Sequence, residues 1–249
     1  ASRQIDVLMF HPKQLANPVF QNTLLSSIAG HVSMVVVDEA HCISDWGHDF
    51  VPEYKLVSRL IKVLPPNIPM LATTATANNR VLNDLYAILG PNLVVNRGPL
   101  HRPSITLQTI TFESDTERLA WLATVLPLML GSGIIYALTK AHVEYITAWL
   151  GACGISVAGY SGDSPNREEL EQQLRENQIK ALVSTSALGM GFDKPDLTFV
   201  IHYQPPGSVV AYYQQVGRAG RAIDDARGIV LAVRSQVDVN SYFIESAFP

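Results

Sequence analysis

The chain has 249 residues, of which 47% are hydrophobic, and it carries a formal net charge of -4. Its length and apolar content support one large or two modest folded domains. The acidic balance excludes nucleic-acid binding by bulk positive charge, because phosphate contacts need clustered lysine and arginine. Two cysteines are too few for a four-cysteine zinc site, and they fit a reducing compartment such as the cytoplasm.

Short β-rich runs alternate with amphipathic stretches, a pattern that is typical of parallel α/β sheets. The predicted strands are IDVLMF (5–10), MVVVD (34–38), PMLATT (69–74), GIIYA (133–137), SVAGY (156–160), KALVST (180–185) and FVIHY (199–203). Residues 140–150 carry apolar side chains, including Trp149, at helical spacing. Ser164 and Pro165, followed by Glu168 and Glu169, predict the cap and first turn of another helix.

A connector rich in glycine, proline and arginine, residues 96–104, predicts a boundary between domains at 1–98 and 99–249. The second domain has a full series of strands. The first has only about three, and the chain begins almost directly on one of them. We therefore expect the front half of the first domain to be missing.

An uncharged run at residues 119–139 approaches the roughly 20 residues that a membrane-spanning helix needs. Pro127 and the glycine-rich turn at 131–133 divide this run, which favours a helix followed by a short strand. The N-terminus lacks the basic and apolar pattern of a signal peptide.

An acid pair follows the valines at 35–37, where a strand of an open α/β sheet would end. The valines suit a central strand that is covered on both faces. At the end of such a strand Asp38 can hold a magnesium ion, and Glu39 can accept a proton from an attacking water. The two carboxylates could equally solvate the strand end, so the DEAH sequence by itself leaves both interpretations open.

A second charged pair lies in AYYQQVGRAGRA (211–222). Arg218 and Arg221 are three residues apart, so on a helix they would project on nearly the same side. Gly217 and Gly220 would let a phosphate approach closely. Such a pair can stabilise charge on a transferring phosphoryl group, and as an isolated feature it also fits a solvated basic face.

Aromatic residues follow the acid pair at Trp46 and Phe50. Unstacked bases of single-stranded nucleic acid can lie on such side chains whatever their sequence. The spacing of four residues, continued by Tyr54, also fits a buried helical stripe. Gly47 and Pro52 weaken that helix and favour a loop.

An ordered set of motifs resembles the RecQ family of DNA helicases over nearly the whole chain. The motifs are PKQL (12–15), VVVDEAH (35–41), SDWGHDFVPEY (44–54), TATA (74–77), GIIY (133–136), YSGD (160–163), STSALGMGFDKPD (184–196) and YYQQVGRAGR (212–221). The resemblance implies an α/β fold of two RecA-like parallel-sheet domains, the first incomplete. It also implies ATP-dependent unwinding of duplex DNA by translocation on single-stranded DNA from 3′ to 5′.

The same resemblance implies ATP and Mg²⁺ as cofactors and single-stranded and forked DNA as partners. It implies no membrane and no structural zinc in this chain, and a cytoplasmic or nucleoid-associated role in DNA repair and recombination. Asp38 would coordinate the magnesium, Glu39 would activate water, and His41 would couple the nucleotide and DNA sites. The second domain would complete the ATP pocket with Gly189, Gly191, Asp193, Gln215, Arg218 and Arg221. The residues that would contact nucleic acid, or relay to it, are Trp46, His48, Phe50, Thr74, Thr76, Ser161 and Thr185.

The chain departs from the family pattern in several places. Nothing in it matches the phosphate loop G-x-x-x-x-G-K-[ST] or the adenine-recognising glutamine segment. We expect both to precede residue 1, so the chain alone would not hydrolyse ATP. Val51 stands where the family usually has arginine, Ser161 replaces a usual histidine, and the family's frequent zinc, winged-helix and HRDC domains do not follow Pro249.

Alternatives remain at this point. An RNA-directed helicase would use the same acid and arginine pairs, although the aromatic loop favours DNA. A non-hydrolysing single-stranded nucleic-acid binding or regulatory module could keep the two-domain shape after losing its phosphate loop. A serine hydrolase is weaker, because GYSGD (159–163) has Asp163 where G-x-S-x-G needs glycine. The seven histidines show no H-E-x-x-H spacing for a catalytic metal.

Overall fold

The computed structural model describes residues 6–43, 54, 56–65, 68–75, 77–99, 101–189 and 191–234. Internal packing divides the chain into two compact units, Ala1–Arg97 and Gly98–Pro249. The first unit holds two parallel strands, β1 (Val35–Val37) and β2 (Met70–Ala72), with Val36 opposite Leu71. Its helices are α1 (Ser26–Ile28), α2 (Val57–Val63) and α3 (Asn79–Leu89), and α1 continues a π-helical turn at Phe20–Leu25.

One apolar cluster joins these elements and fixes the end of β1. Its buried members are Leu15, Leu25, Val37, Ala40, Ile43, Val57, Val81 and Leu85. Helix α3 is capped by Asn78, whose side-chain oxygen accepts the Val81 N–H at 2.9 Å. Because Val37 and Ala40 are both buried in the cluster, the two residues between them are held at its rim.

Two predictions about this unit are wrong. Residues 6–10 form no strand, and Val7 and Met9 are exposed. Strand β1 is not covered on both faces, since 58% of Val36 is exposed and Leu71 beside it is exposed as well. The physical reason is that no described element packs on the face that carries Val36, and β1 has β2 as its one described partner.

The second unit is a six-stranded parallel sheet in the order β3-β8-β7-β4-β6-β5. Its strands are β3 (Ile105–Phe112), β4 (Gly133–Tyr136), β5 (Val157–Tyr160), β6 (Ala181–Ser184), β7 (Phe199–His202) and β8 (Ala226–Val233). Its helices are α4 (Asp115–Val125), α5 (Lys140–Ala152), α6 (Arg167–Arg175) and α7 (Val209–Val216). Every residue of β4, β6 and β7 is buried, as expected for central strands with helices on both faces.

Parallel pairing brings the carboxyl ends of neighbouring strands to one edge of this sheet. Tyr136, Ser184 and His202 lie side by side in the register of β4, β6 and β7. The loops that follow these strands, together with the end of α7, therefore share one rim.

The strands predicted between residues 133 and 203 are confirmed, but β3 and β8 were not predicted. The uncharged run at 119–139 forms the end of α4, a 3-10 turn at Leu126–Leu128 and then β4. None of the helices in the described ranges is long and apolar enough to cross a membrane.

The helix predicted at 140–150 is confirmed, although Trp149 is partly exposed. The predicted cap of the next helix is wrong. Helix α6 starts at Arg167, and Ser164 Oγ instead accepts the Ser161 N–H at 2.9 Å. The two glutamates do lie in the first turn of α6.

Candidate active site

The acid pair lies immediately after β1, on the rim of the first unit. One carboxylate oxygen of Asp38 accepts two hydrogen bonds, from the Thr73 hydroxyl at 2.6 Å and from the Glu39 N–H at 2.9 Å. Asp38 is exposed to solvent. These two hydrogen bonds orient the Asp38 carboxylate. A single exposed carboxylate suits a magnesium ion, because this ion usually keeps several of its waters.

Glu39 adopts a left-handed backbone conformation, with φ of 49°. This region is uncommon for residues other than glycine, and such strain is concentrated at functional sites. The turn is held by Cys42 N–H donating to Glu39 O at 2.9 Å and by Ala40 N–H donating to Thr73 O at 2.9 Å. Oε2 of Glu39 is buried without a hydrogen bond in the described part of the chain. A buried carboxylate oxygen in this state is suited to bind a water or a ligand.

His41 is buried beside Glu39. Its Nδ1 lies 2.9 Å from the Thr74 hydroxyl and 3.2 Å from Oε2 of Glu39. The histidine therefore bridges the two segments that follow β1 and β2. Thr74 was predicted to relay between sites, and this contact brings it to the acid pair.

Two residues near Asp38 were missed by sequence reasoning. Thr73 donates to its carboxylate, and the Tyr54 hydroxyl donates to its backbone oxygen at 3.1 Å. Burial, followed by the nearby Cys42, Glu39 and Asp38, raises the pKa of Tyr54 to about 12, so its hydroxyl stays protonated as a donor. The TATA motif (74–77) predicted threonines near the acid pair. The pairing of β1 with β2 determines that Thr73, directly before the motif, is the one that contacts Asp38.

The arginine pair of the second unit does not lie on a helix, which corrects the prediction. Helix α7 ends at Val216, and Gly217 caps it with its N–H donating to Tyr213 O at 3.0 Å. Both arginines follow in the turn after the helix. The physical reason is the low helix propensity of glycine, which occurs twice within this short segment.

The two arginines have different surroundings. Arg218 points inward and donates to Phe192 O at 3.0 Å and to the hydroxyl of Tyr136, while its Nε is buried without a partner in the described ranges. Arg221 is exposed and donates to the exposed carboxylate of Asp193 at 2.6 Å. Of the two, Arg221 has the guanidinium that solvent and ligands can reach.

The loop after β6 carries the predicted residues Gly189, Gly191 and Asp193. Gly191 has φ of 92°, a conformation that disfavours residues with a Cβ. The Tyr136 hydroxyl donates to Leu188 O at 2.9 Å and anchors the start of the loop. The ion pair of Asp193 with Arg221 joins this loop to the turn after α7.

Gln215 is on the last turn of α7 and reaches the carboxyl end of β7. Its Oε1 lies 2.9 Å from Nε2 of His202, a buried residue that sequence reasoning did not single out. The sequence did contain a signal for His202, because it is the only histidine in the predicted strand FVIHY (199–203).

Ser161 and Thr185 follow the neighbouring strands β5 and β6. The Thr185 N–H donates to Tyr160 O at 3.4 Å, and Ser161 bonds Ser164 as described above. The structure thus brings these two candidate nucleic-acid contacts to the same rim. Ser161 also lines an open cavity of about 390 Å³ between α5 and β5.

The remaining predicted contacts, Trp46, His48, Phe50 and Thr76, lie outside the described residues. Within the described ranges, no group of three or more His, Cys, Asp or Glu side chains could hold a metal ion. Asp38 offers one exposed carboxylate, which fits a magnesium ion whose other ligands would be nucleotide phosphates and waters.

Two family models match the chain. The DEAD/DEAH box helicase model matches residues 1–85, and the helicase conserved C-terminal domain model matches residues 119–223. The two matches fall in the first and the second unit, respectively.

Curated relatives are 33% to 38% identical to this chain over the aligned residues. The Haemophilus influenzae ATP-dependent DNA helicase RecQ is 36% identical over 88% of the chain and 35% of its own length. The probable ATP-dependent DNA helicase RecS of Bacillus subtilis is 33% identical over 96% of the chain and 48% of its own length. The Arabidopsis thaliana helicase Q-like 2 is 38% identical over 78% of the chain and 28% of its own length. The chain thus spans less than half the length of each of these relatives.

Two solved structures share the fold. Saccharomyces cerevisiae Dbp5 bound to RNA and ADP BeF3 has a TM-score of 0.70 at 23% identity, over 88% of this chain and 56% of that one. Mycobacterium smegmatis Lhr bound to single-stranded DNA and AMP-PNP has a TM-score of 0.73 at 18% identity, over 95% of this chain and 33% of that one. The predicted fold of RecA-like parallel-sheet domains is confirmed. With the motif order and the relatives above, the chain belongs to the RecQ family of DEAD/DEAH-box helicases.

Proposed function

We propose that this chain works within an ATP-dependent DNA helicase, where both units contribute residues to ATP hydrolysis and to movement along single-stranded DNA. The observation that carries the proposal is the geometry of Glu39. A strained backbone presents a carboxylate whose buried Oε2 makes no hydrogen bond in the described ranges and has Nδ1 of His41 as an ion-pair contact at 3.2 Å. This carboxylate comes directly after an exposed aspartate at a strand end. That arrangement suits a base that receives a proton from water next to a metal-bound phosphate.

In this proposal Asp38 would hold the magnesium ion that accompanies ATP, which would supply neutralisation of phosphate charge. Glu39 orients the attacking water and takes its proton. His41, which contacts Glu39 and Thr74, couples the acid pair to the segment after β2. This segment leads on towards Thr76, the other threonine that we assign to the relay.

The second unit supplies cationic and polar groups in the proposal. Arg221 is the group that stabilises charge on the transferring phosphoryl, because it is exposed and leaves only an exposed ion pair. Arg218 supports the loop around Gly189 and Gly191 through Phe192 and Tyr136. Gln215 approaches the nucleotide from the end of α7.

We assign DNA as the substrate, because the relatives are named as DNA helicases. Single-stranded and forked DNA, and movement from 3′ to 5′, are assigned from the resemblance of the motifs to the RecQ family. Trp46, His48 and Phe50 would stack with or contact bases, and Ser161 and Thr185 would contact the strand from the second unit. DNA repair and recombination in the cytoplasm, or at a nucleoid, is the setting that we propose. The RNA bound to Dbp5 keeps an RNA substrate as the alternative.

The test is ATP turnover by the full-length gene product with single-stranded DNA or with RNA of the same length. We expect DNA to stimulate turnover, and Glu39→Gln to abolish it by a factor of about 10² to 10⁴ while ATP binding is nearly unchanged, because only the base is removed. The 249-residue chain by itself should not hydrolyse ATP, since it has no phosphate-loop sequence. Unchanged turnover in Glu39→Gln would remove Glu39 from this role, and equal stimulation by RNA would favour the alternative substrate.

A further inference from the structure

His202 is a buried titratable residue that the mechanism above does not use. It is the last residue of β7, a strand with neighbours on both sides, and it is 1% exposed. Its Nε2 lies 2.9 Å from Oε1 of Gln215. Gln215 is a candidate contact of the nucleotide, so a hydrogen bond from the buried His202 ring can determine how the Gln215 amide is oriented.

Two tyrosines hold the imidazole in place. The Tyr136 ring stacks on it at a centroid distance of 5.6 Å and an interplanar angle of 22°, and the Tyr212 ring lies 5.1 Å away. Tyr136 is fixed in turn by its hydroxyl, which donates to Leu188 O. The ring of His202 therefore has little freedom to turn away from Gln215.

The protonation of the ring follows from its surroundings. Nδ1 is buried and has no hydrogen-bond partner within the described residues, so a proton on Nδ1 would create an unsatisfied buried donor. An unprotonated Nδ1 is the less costly state, which places the single proton on Nε2. Burial also lowers the pKa of His202 to about 4, so the ring carries only that one proton at neutral pH.

We propose that His202 is a positioning residue that fixes the orientation of the Gln215 amide by donating from Nε2 to Oε1. With its oxygen engaged, the end of the amide that is left for a ligand is the nitrogen, a donor. A donor suits the phosphate or ribose oxygens of a nucleotide. The proposal rests on the proposed function, which puts Gln215 in the ATP pocket.

The first test needs no enzymatic activity. Long-range ¹H–¹⁵N NMR of the 249-residue chain reports which ring nitrogen of each histidine is protonated, and the signal that is missing from His202→Phe identifies His202. We expect a neutral ring with its proton on Nε2 at pH 7. A proton on Nδ1, or a doubly protonated ring, overturns the proposal.

The second test is a double-mutant cycle in the full-length gene product. His202→Phe keeps a ring between the two tyrosines and removes the hydrogen bond, so KM for ATP should rise roughly five- to tenfold with a smaller change in kcat. In a Gln215→Ala background the same change should have no further effect. His202→Gln, which can again donate, should recover most of the loss.

The matched control is His142→Phe, a partly buried histidine of the same unit that bonds Thr139 and should leave KM unchanged. An equal loss from His202→Phe in the presence and in the absence of Gln215 would show that the ring acts on folding alone and would overturn the proposal. If the gene product hydrolyses no ATP at all, the proposed function fails, and the NMR result still decides the tautomer.

Discussion

Arg218 and Arg221 carry the same charge three residues apart, yet they make different contacts. Arg218 donates to Phe192 O and Tyr136, whereas Arg221 makes an exposed ion pair with Asp193. Removing a side chain that bonds buried groups leaves their hydrogen bonds unmade, whereas an exposed ion pair contributes little to stability.

We therefore predict that Arg218→Ala lowers the free energy of unfolding of this chain by about 1 to 3 kcal/mol. Arg221→Ala should lower it by less than about 1 kcal/mol. Urea unfolding followed by circular dichroism measures both. Equal losses would show that the inward contacts of Arg218 do not stabilise the fold.

His202 also makes a prediction about acid. Its folded pKa of about 4 is below the ordinary value of 6.5, so between these values the unfolded chain binds a proton that the folded chain does not. The free energy of unfolding that depends on a neutral His202 is fully present above pH 6.5 and is lost as pH falls towards 4. The difference between the unfolded and folded pKa of His202 corresponds to a loss of about 3 kcal/mol of unfolding free energy at pH 4.

Urea unfolding at pH 7.5 and pH 5 checks this prediction. His202→Phe should be less sensitive to the change of pH than the unaltered chain, because it has no group to titrate at this position. The exposed His101→Gln serves as the control and should retain the original sensitivity. The same pH sensitivity in His202→Phe would assign the effect to other groups.

At the scale of elements, the close pairing of β4 with β7 depends on Gly133. A Cβ at this position would overlap the ring and the carbonyl oxygen of Phe199. Both strands are fully buried, so neither can shift without disturbing the core.

We predict that Gly133→Ala costs about 3 kcal/mol or more of unfolding free energy, as overpacking of a buried strand pair does. Gly151→Ala is the matched control, because it lies in α5 with open space around its Cβ, and there alanine should stabilise by about 0.5 to 1 kcal/mol. Thermal unfolding of the two variants distinguishes them. Loss of similar size in both would contradict the close approach of β4 and β7.

The strands that the sequence predicted well are those with continuous apolar runs. Residues 199–202 and 181–184 are buried throughout, and hydropathy alone locates them. Strand β3 was missed because it lies at the sheet edge and alternates polar with apolar residues, although its β-branched ITLQTITF pattern was a usable signal. The predicted strand at the N-terminus failed because an apolar run becomes a strand only where another strand pairs with it.

In the candidate site, too, local features could be predicted from the sequence and contacts between distant segments could not. The motifs located Asp38, Glu39 and His41, because their place directly after the strand β1 is a local property of the sequence. Contacts between distant segments could not be predicted, since they depend on register and packing. The bond from Thr73 to Asp38 and the contact of Gln215 with His202 are both of this kind.

At the scale of the whole molecule, the two units differ in how well they cover their apolar residues. The second unit has a six-stranded sheet with extensive apolar clusters on it. The first has two described strands and leaves Met9, Val36 and Leu71 exposed. A sheet of two strands is marginal by itself in water.

We predict that residues 98–249, expressed alone, fold into a monomer that unfolds cooperatively, whereas residues 1–97 alone do not. Dispersion of the amide signals in ¹H–¹⁵N NMR spectra of the two pieces measures this directly. A well-dispersed spectrum from residues 1–97 would contradict this prediction, because it would show that β1 and β2 fold stably without another element packed on their exposed face.

The central proposal is that the acid pair and Arg221 both take part in hydrolysis of the same bound ATP. The most direct measurement is a structure of the full-length gene product with Mg²⁺, a non-hydrolysable ATP analogue and single-stranded DNA. We predict that Asp38 lies by the metal, Glu39 lies by the terminal phosphate, and Arg221 has left Asp193 to contact that phosphate. A structure in which the nucleotide binds the acid pair while Arg221 faces a different side of the molecule would contradict the claim.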